Sequence, residues 1–280
     1  MNRVEGRIAV VTGGTQGLGA AVARALAEAG AGGIVTCGRQ QEAGARLASQ
    51  ITAETGCAVH FEAGDLSEVA ACRRVIAASD RAFGRVDILV NVAAITDRGT
   101  ILDTSEELFD RMFAINVRAP FFLMQEAARL MIRDGVEGAI INIGSTSAQA
   151  GQPFIAAYCA SKGGLATLTR NTAFALMRNR IRVNQLNIGW MASDGEDRIQ
   201  RTYHGAGNDW LEQAAATQPF GRLVDPGEVA RAVCFLASTD SGLMSGAVIN
   251  FDQSVWGGYS GAPPVPDEAM SLPEPDLSLP

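Results

Sequence analysis

RIAVVTGGTQGLGAAVARALAEA, from Arg7 to Ala29, passes from a short β-branched apolar run through a glycine turn into an alanine-rich helical pattern. That order is the entry to a dinucleotide site. Glycines let the backbone approach a pyrophosphate closely, and the free N–H groups at a helix start attract its charge. The candidate residues are Gly13, Thr15, Gln16, Gly17, Leu18 and Gly19. A tight turn without a ligand is the plain alternative, and the flanking strand and helix weigh against it.

Working outward, apolar runs of strand length recur at residues 33–37, 58–62, 86–90, 138–143, 181–186 and 247–251, with helical patterns between them. Strand alternating with helix predicts an α/β fold: a single-domain, doubly wound parallel sheet of Rossmann type, with helices on both faces and ligands at the carboxyl ends of its strands. At the end of the second strand an acidic residue suits the ribose of NAD, whereas an Arg suits the extra phosphate of NADP. Arg39 stands there and no Asp or Glu does, so NADP(H) is preferred, with NAD(H) the alternative. Asp65 and Leu66 follow the third strand as adenine contacts, although Asp65 also suits a helix cap. Asn91 and Ala93 follow the fourth.

Helical patterns run from Ser105 to Ile115 and from Val117 to Arg133, leaving Asn116 at their junction as a water-binding group or a brace for a backbone bend. Ser145 and Ser147 end the fifth strand. In Tyr158-Cys159-Ala160-Ser161-Lys162, Tyr158 and Lys162 share one helix face, so that phenol and ammonium can converge. A neighbouring cation favours the phenolate and moves a poor acid toward useful values. From Asp194 to Gln218 periodicity is weak, and a lid over about 190–218 is expected, with Trp190, Met191, His204 and Trp210 as substrate-facing candidates. Residues 1–256 form the dinucleotide-binding and catalytic domain in this reading, and 257–280 a Pro-rich extension.

Composition narrows the partners. With 23 basic and 30 acidic side chains in 280 residues the formal charge is −7, and no Lys/Arg run exists. Nucleic acid and anionic membrane are poor partners for such a chain. MNRVEGRIAVVTGG carries no secretion-signal order, which points to the cytoplasm. Five scattered cysteines and two histidines, His60 and His204, indicate neither a disulfide framework nor a metal site.

Together these features resemble the short-chain dehydrogenase/reductase family from Arg7 to about Asp252. TGGTQGLG matches its TGxxxGxG, YCASK matches its YxxxK, and Ser145 lies 13 residues before Tyr158, at the family's serine position. The resemblance implies an NAD(P)-dependent oxidoreductase exchanging hydride with a secondary alcohol or ketone, with Asn116, Ser145, Tyr158 and Lys162 as its catalytic set. It also implies cofactor contacts at Gly189 and Ser193, and a homo-oligomer, tetramer or dimer. The family's NNAG departs to Asn91-Val92-Ala93-Ala94, and its Pro-Gly after the sixth strand to Ile188-Gly189. The mixed polar and aromatic lid favours a sugar or polyol. An NAD(H)-dependent 3-oxoacyl or hydrophobic ketone reductase, and a non-catalytic NADP(H) sensor, are the rival readings.

Overall fold

Strand β1 (Ile8–Thr12) is buried along its whole length, because both of its faces are covered by helices. Its side chains alternate: Ala9 and Val11 enter one apolar cluster and Val10 the other. The computed structural model describes residues 4–258, 260–261, 265–266 and 268–270. The Pro-rich extension expected over 257–280 lies for the most part outside them.

Around β1 lie β2 (Gly33–Gly38), β3 (Val59–Ala63), β4 (Ile88–Asn91), β5 (Ala139–Ser145), β6 (Arg182–Ile188) and β7 (Val248–Phe251). All pair in parallel, in the order β3-β2-β1-β4-β5-β6-β7. The order reverses between β1 and β4, which opens a crevice at the carboxyl ends of the strands. Helices α1 (Gly17–Glu28), α2 (Gln41–Thr55) and, near the chain's end, the helix Pro226–Ala237 cover one face; α3 (Val69–Phe83) covers part of the other.

Between β4 and β5 the two expected helices are one helical path. It runs through α4 (Glu106–Phe113), a π-helical segment Ala114–Arg118, and α5 (Ala119–Arg133). Pro120, which lacks an N–H, sits in the first turn of α5 and suits a wider turn before it. Asn116 lies inside that turn. Helix α6 (Ala156–Leu176) then crosses beneath β5 and β6.

The region 194–218, weakly periodic in sequence, forms two helices, α7 (Asp194–His204) and α8 (Trp210–Thr217). The physical reason is local. No residue of α7 is buried, so there is no apolar stripe to read, and the helix rests on its ends. Ser193 Oγ accepts from Glu196 N at 3.2 Å, acidic residues fill the first turn, and Arg201 and His204 fill the last. Only α8 has a core of its own, Trp210 and Ala214 with Leu223. The final helix, α9 (Pro226–Ala237), is held by a capping box of Asp225 and Glu228.

Leu26 is fully buried where α1 meets the sheet and α9. Leu26→Ala is expected to cost about 2–5 kcal/mol, read from urea denaturation at constant m-value. A loss below about 1 kcal/mol would show that this layer is not close-packed.

Candidate active site

The glycine turn is built by mutual contact. Gly13 has φ +70° and a Cβ there would meet Ala93 Cα at 3.1 Å; a Cβ on Gly19 would strike the carbonyl of Gly13. Thr12 Oγ1 accepts from the N–H groups of Val92 and Ala93 at 3.0 and 3.1 Å, tying the end of β4 to the turn. Thr15 lies against Gly38, Leu18 is buried, and Gln16 is the N-cap of α1 without a side-chain cap bond. No side chain caps the first N–H groups of α1, as is also true of α2, α3, α6 and α8, so these groups are free to meet a ligand. At Gly17, φ is +52° and no atom lies within 4 Å of a Cβ position. An open cradle beside uncapped N–H groups fits a pyrophosphate.

The other cofactor candidates spread along the same strand ends. Arg39 is exposed after β2. Asp65 Oδ1 accepts from Ser67 N at 2.9 Å; this bond chiefly holds the carboxyl below its usual range, with a smaller contribution from Arg39. Leu66 is buried beside it. Asn91 differs from expectation, for its side chain is 2% exposed and donates to Asn142 Oδ1 at 2.8 Å, within the sheet. Its own Oδ1 is a buried atom with no partner among the described residues. At Gly189 a side chain would run into Asp252, and the N–H donates to Phe251 O at 3.1 Å. Ile188, unlike proline, has an N–H, and β6 stays paired with β5 and β7 through this position. Ser193 spends its oxygen on capping α7 and keeps its O–H to donate.

Helix α6 brings the catalytic candidates together. Lys162 is 2% exposed and donates to Ile143 O, on β5, at 2.9 Å; its Nζ lies 5.6 Å from the Tyr158 ring centre. Burial pulls this ammonium down to about 8. Tyr158 is half-buried, and desolvation pushes its phenol up to about 12, against a lowering hydrogen bond with Ser145. Desolvation therefore dominates the phenol, the lowering expected from Lys162 is not among the influences on it, and near neutral pH Tyr158 keeps its proton. Ser145 Oγ also accepts from Ser147 N at 3.1 Å.

Asn116 is more occupied than a water-holding role suggests. Its Oδ1 accepts from Ile95 N and its Nδ2 donates to Ile95 O, both at 3.0 Å, with Ser161 Oγ at 3.1 Å. Ser161, unflagged by any motif, donates to Tyr158 O at 2.7 Å and so links Asn116 to the catalytic helix.

In the lid, Trp190 is 37% exposed and donates to Glu196 Oε1 at 2.8 Å, while Trp210 is buried and donates to Asp197 Oδ1 at 2.7 Å. Trp210 braces the lid. Met191 packs on the core under the lid, and His204 meets Arg98 and Phe154.

With this geometry in place, the family model described as enoyl-(acyl carrier protein) reductase matches residues 13–259. The chain belongs to the short-chain dehydrogenase/reductase family. It is 32% identical to a galactitol 2-dehydrogenase of Agrobacterium fabrum over 91% of this chain and 99% of that protein. It is 34% identical to a versicolorin reductase 1 of Aspergillus parasiticus over 90% and 97%. The structure superposes with TM-score 0.82 to 0.85 on family members, the upper value for L-sorbose reductase of Gluconobacter frateurii, solved with NADPH and L-sorbose. That reductase is 26% identical, over 92% of this chain and 100% of that one. The protein is an NAD(P)-dependent alcohol dehydrogenase or ketone reductase. Among the described residues no helix is long and apolar enough to cross a membrane, and no group of His, Cys, Asp or Glu is arranged to hold a metal.

The buried ammonium makes a stability prediction with a definite sign. Burial brings Lys162 from its usual 10.5 down to about 8, so keeping it charged weighs against folding by about 3 kcal/mol below pH 8. The penalty fades as pH rises from 8 to 10.5, because the unfolded chain still binds a proton that the folded chain has lost. The charge-assisted bond to Ile143 O offsets about 1.5–3 kcal/mol of this. Lys162→Met is therefore expected to lose the rise in stability that wild type shows between pH 8 and 10.5, while turnover disappears. A variant whose stability in chemical denaturation rises across that window as steeply as wild type would contradict this.

Proposed function

We propose that the chain interconverts a ketone and a secondary alcohol on a sugar or polyol, using NADP(H) in preference to NAD(H). The observation that carries the chemistry is the convergence of Tyr158, Lys162 and Ser145 where α6 passes under the end of β5. A bound nicotinamide supplies or accepts the hydride. In reduction Tyr158 gives its hydroxyl proton to the carbonyl oxygen as that oxygen gains charge, and Ser145 donates a hydrogen bond to the same oxygen. Lys162 has donors left beyond the Ile143 bond for ribose hydroxyls and stands behind the phenol. Asn116, held by Ile95 and Ser161, fixes the turn of helix beside Tyr158 and keeps a second lone pair for a water on the proton's path to solvent.

The polyol part rests on the galactitol and sorbose relatives and on a cleft edge rich in hydrogen-bonding groups, Trp190 with Glu196 and Asp97 with Tyr203. A bulky aromatic ketone is the second reading, favoured by likeness to a versicolorin reductase and by the part-exposed face of Trp190. The cofactor preference rests on exposed Arg39 at the end of β2, close enough to Asp65 to hold its carboxyl down, and on the NADPH of the sorbose reductase. Exposed Phe109, Phe121 and Phe174 on α4, α5 and α6 support a homo-oligomer, dimer or tetramer.

A spectrophotometric panel of polyols, ketoses and bulky ketones with both cofactors tests the substrate reading. Activity confined to bulky ketones overturns it. Tyr158→Phe is expected to lower kcat by at least about 100-fold with cofactor affinity nearly kept; near-normal turnover would remove Tyr158 from its role. Arg39→Asp is expected to weaken NADPH binding about tenfold or more while sparing NADH, measured by fluorescence titration. Equal loss for both cofactors would mean that Arg39 reads no phosphate.

A further inference from the structure

Beside the catalytic residues, the loop between β4 and α4 carries a cation that the proton chemistry does not use. Gly99 N donates to Phe154 O at 2.8 Å and Ala156 N to Gly99 O at 3.0 Å, so Arg98 is stitched to the segment that enters α6 one turn before Tyr158. Its guanidinium lies 5.3 Å from the Phe154 ring centre and 6.0 Å from that of Tyr203. Its hydrogen bonds among the described residues go to Thr96 O at 2.9 Å and His204 Nε2 at 3.3–3.4 Å, and none goes to a carboxylate.

The nearby carboxylates are engaged elsewhere. Glu196 Oε1 takes bonds from Trp190 and Gln200, and Asp97 Oδ1 takes one from the Tyr203 hydroxyl. Arg98 is nonetheless close enough to Tyr158 for its charge to favour the phenolate, and Glu196 acts there with the opposite sign. A half-buried guanidinium between aromatic faces, with two long bonds to an imidazole, is a fork awaiting an anion.

We infer that Arg98 is a specificity-determining residue that binds a carboxylate on the substrate, so that the preferred substrate is a sugar acid rather than the neutral polyol. This rests on the sugar and polyol reading above. The carboxylate replaces the long His204 contacts with short, charge-assisted and bidentate ones. His204 and Tyr203 lie on the last turn of α7, so the same exchange couples anion binding to the lid. The hydroxyl-rich remainder of the substrate then lies toward Trp190 and Glu196, with the reacting carbon at Tyr158.

The test compares kcat and KM for D-gluconate with those for D-glucitol, and for D-galactonate with those for galactitol, in the full-length wild type, Arg98→Met and Arg98→Lys, with either oxidised cofactor. Wild type is expected to favour at least one acid over its polyol by about tenfold or more in kcat/KM. Arg98→Met should lower kcat/KM for that acid about 100-fold, mainly through KM, and lower the acid-to-polyol ratio of kcat/KM at least about tenfold, since the loss of its charge near Tyr158 and of its contacts to α7 falls on both substrates alike. Arg98→Lys should recover part of that ratio. Turnover of polyols with no acid preferred, or equal losses on acid and polyol in Arg98→Met, overturns the assignment and leaves the polyol reading standing. Turnover of neither class, alongside activity on bulky ketones, overturns both.

Discussion

The site depends on one buried contact, the ammonium of Lys162 against the carbonyl of Ile143 at 2.9 Å. A cation withdrawn from water is unfavourable unless bonded, and here it is bonded by the strand that also ends in Ser145. Moving α6 along β5 would break that bond and separate Tyr158 from Ser145. The convergence of Tyr158, Lys162 and Ser145 and the docking of α6 are thus a single constraint. The buried ammonium is retained although its desolvation weighs against folding at neutral pH, and the bond to Ile143 offsets part of that cost.

A second set of bonds fixes the same helix from below. Asn91 donates to Asn142, Asn142 to Thr169 of α6, Thr169 to Gln185, Gln185 to Asn187, and Asn187 to Asn250. This polar seam runs from β4 to β7 on the face that α6 covers, and Gln149, just beyond the turn that Ser145 caps, joins it at Asn250. Apolar packing tolerates small slips, but amides at 2.7–3.2 Å do not. Gly144 belongs to this seam, since a side chain there would strike both Gln185 and Asn187.

Opposite this rigid floor, the lid is assembled from weaker parts. Helix α7 buries nothing, and it is held by its caps, by Trp190 on Glu196, and by the cluster of Arg98, Phe154, Tyr203 and His204. Elements with little buried apolar area open at low cost. A stiff floor beneath Tyr158 and a loosely latched cover are what the proposed reaction needs for substrate to enter without disturbing that residue.

The doubly wound parallel sheet and the edge at which a ligand is expected were legible in the chain because they rest on short-range signals: apolar runs of strand length alternating with helical patterns, and a glycine turn at a helix start; the order of the strands was not. Weak periodicity hid α7, since it buries no apolar stripe and is held by its caps and by polar and aromatic contacts, and two expected helices are joined by the π turn at Asn116. Tertiary structure alone decided which polar groups are spent. Asn91 is drawn into the sheet, Trp210 into a small core with Ala214 and Leu223, and Asn116 onto Ile95, whereas Arg98 is left without a carboxylate partner. Burial and pairing across distant segments set those outcomes, and desolvation raises the Tyr158 phenol where spacing alone suggested a lowered one.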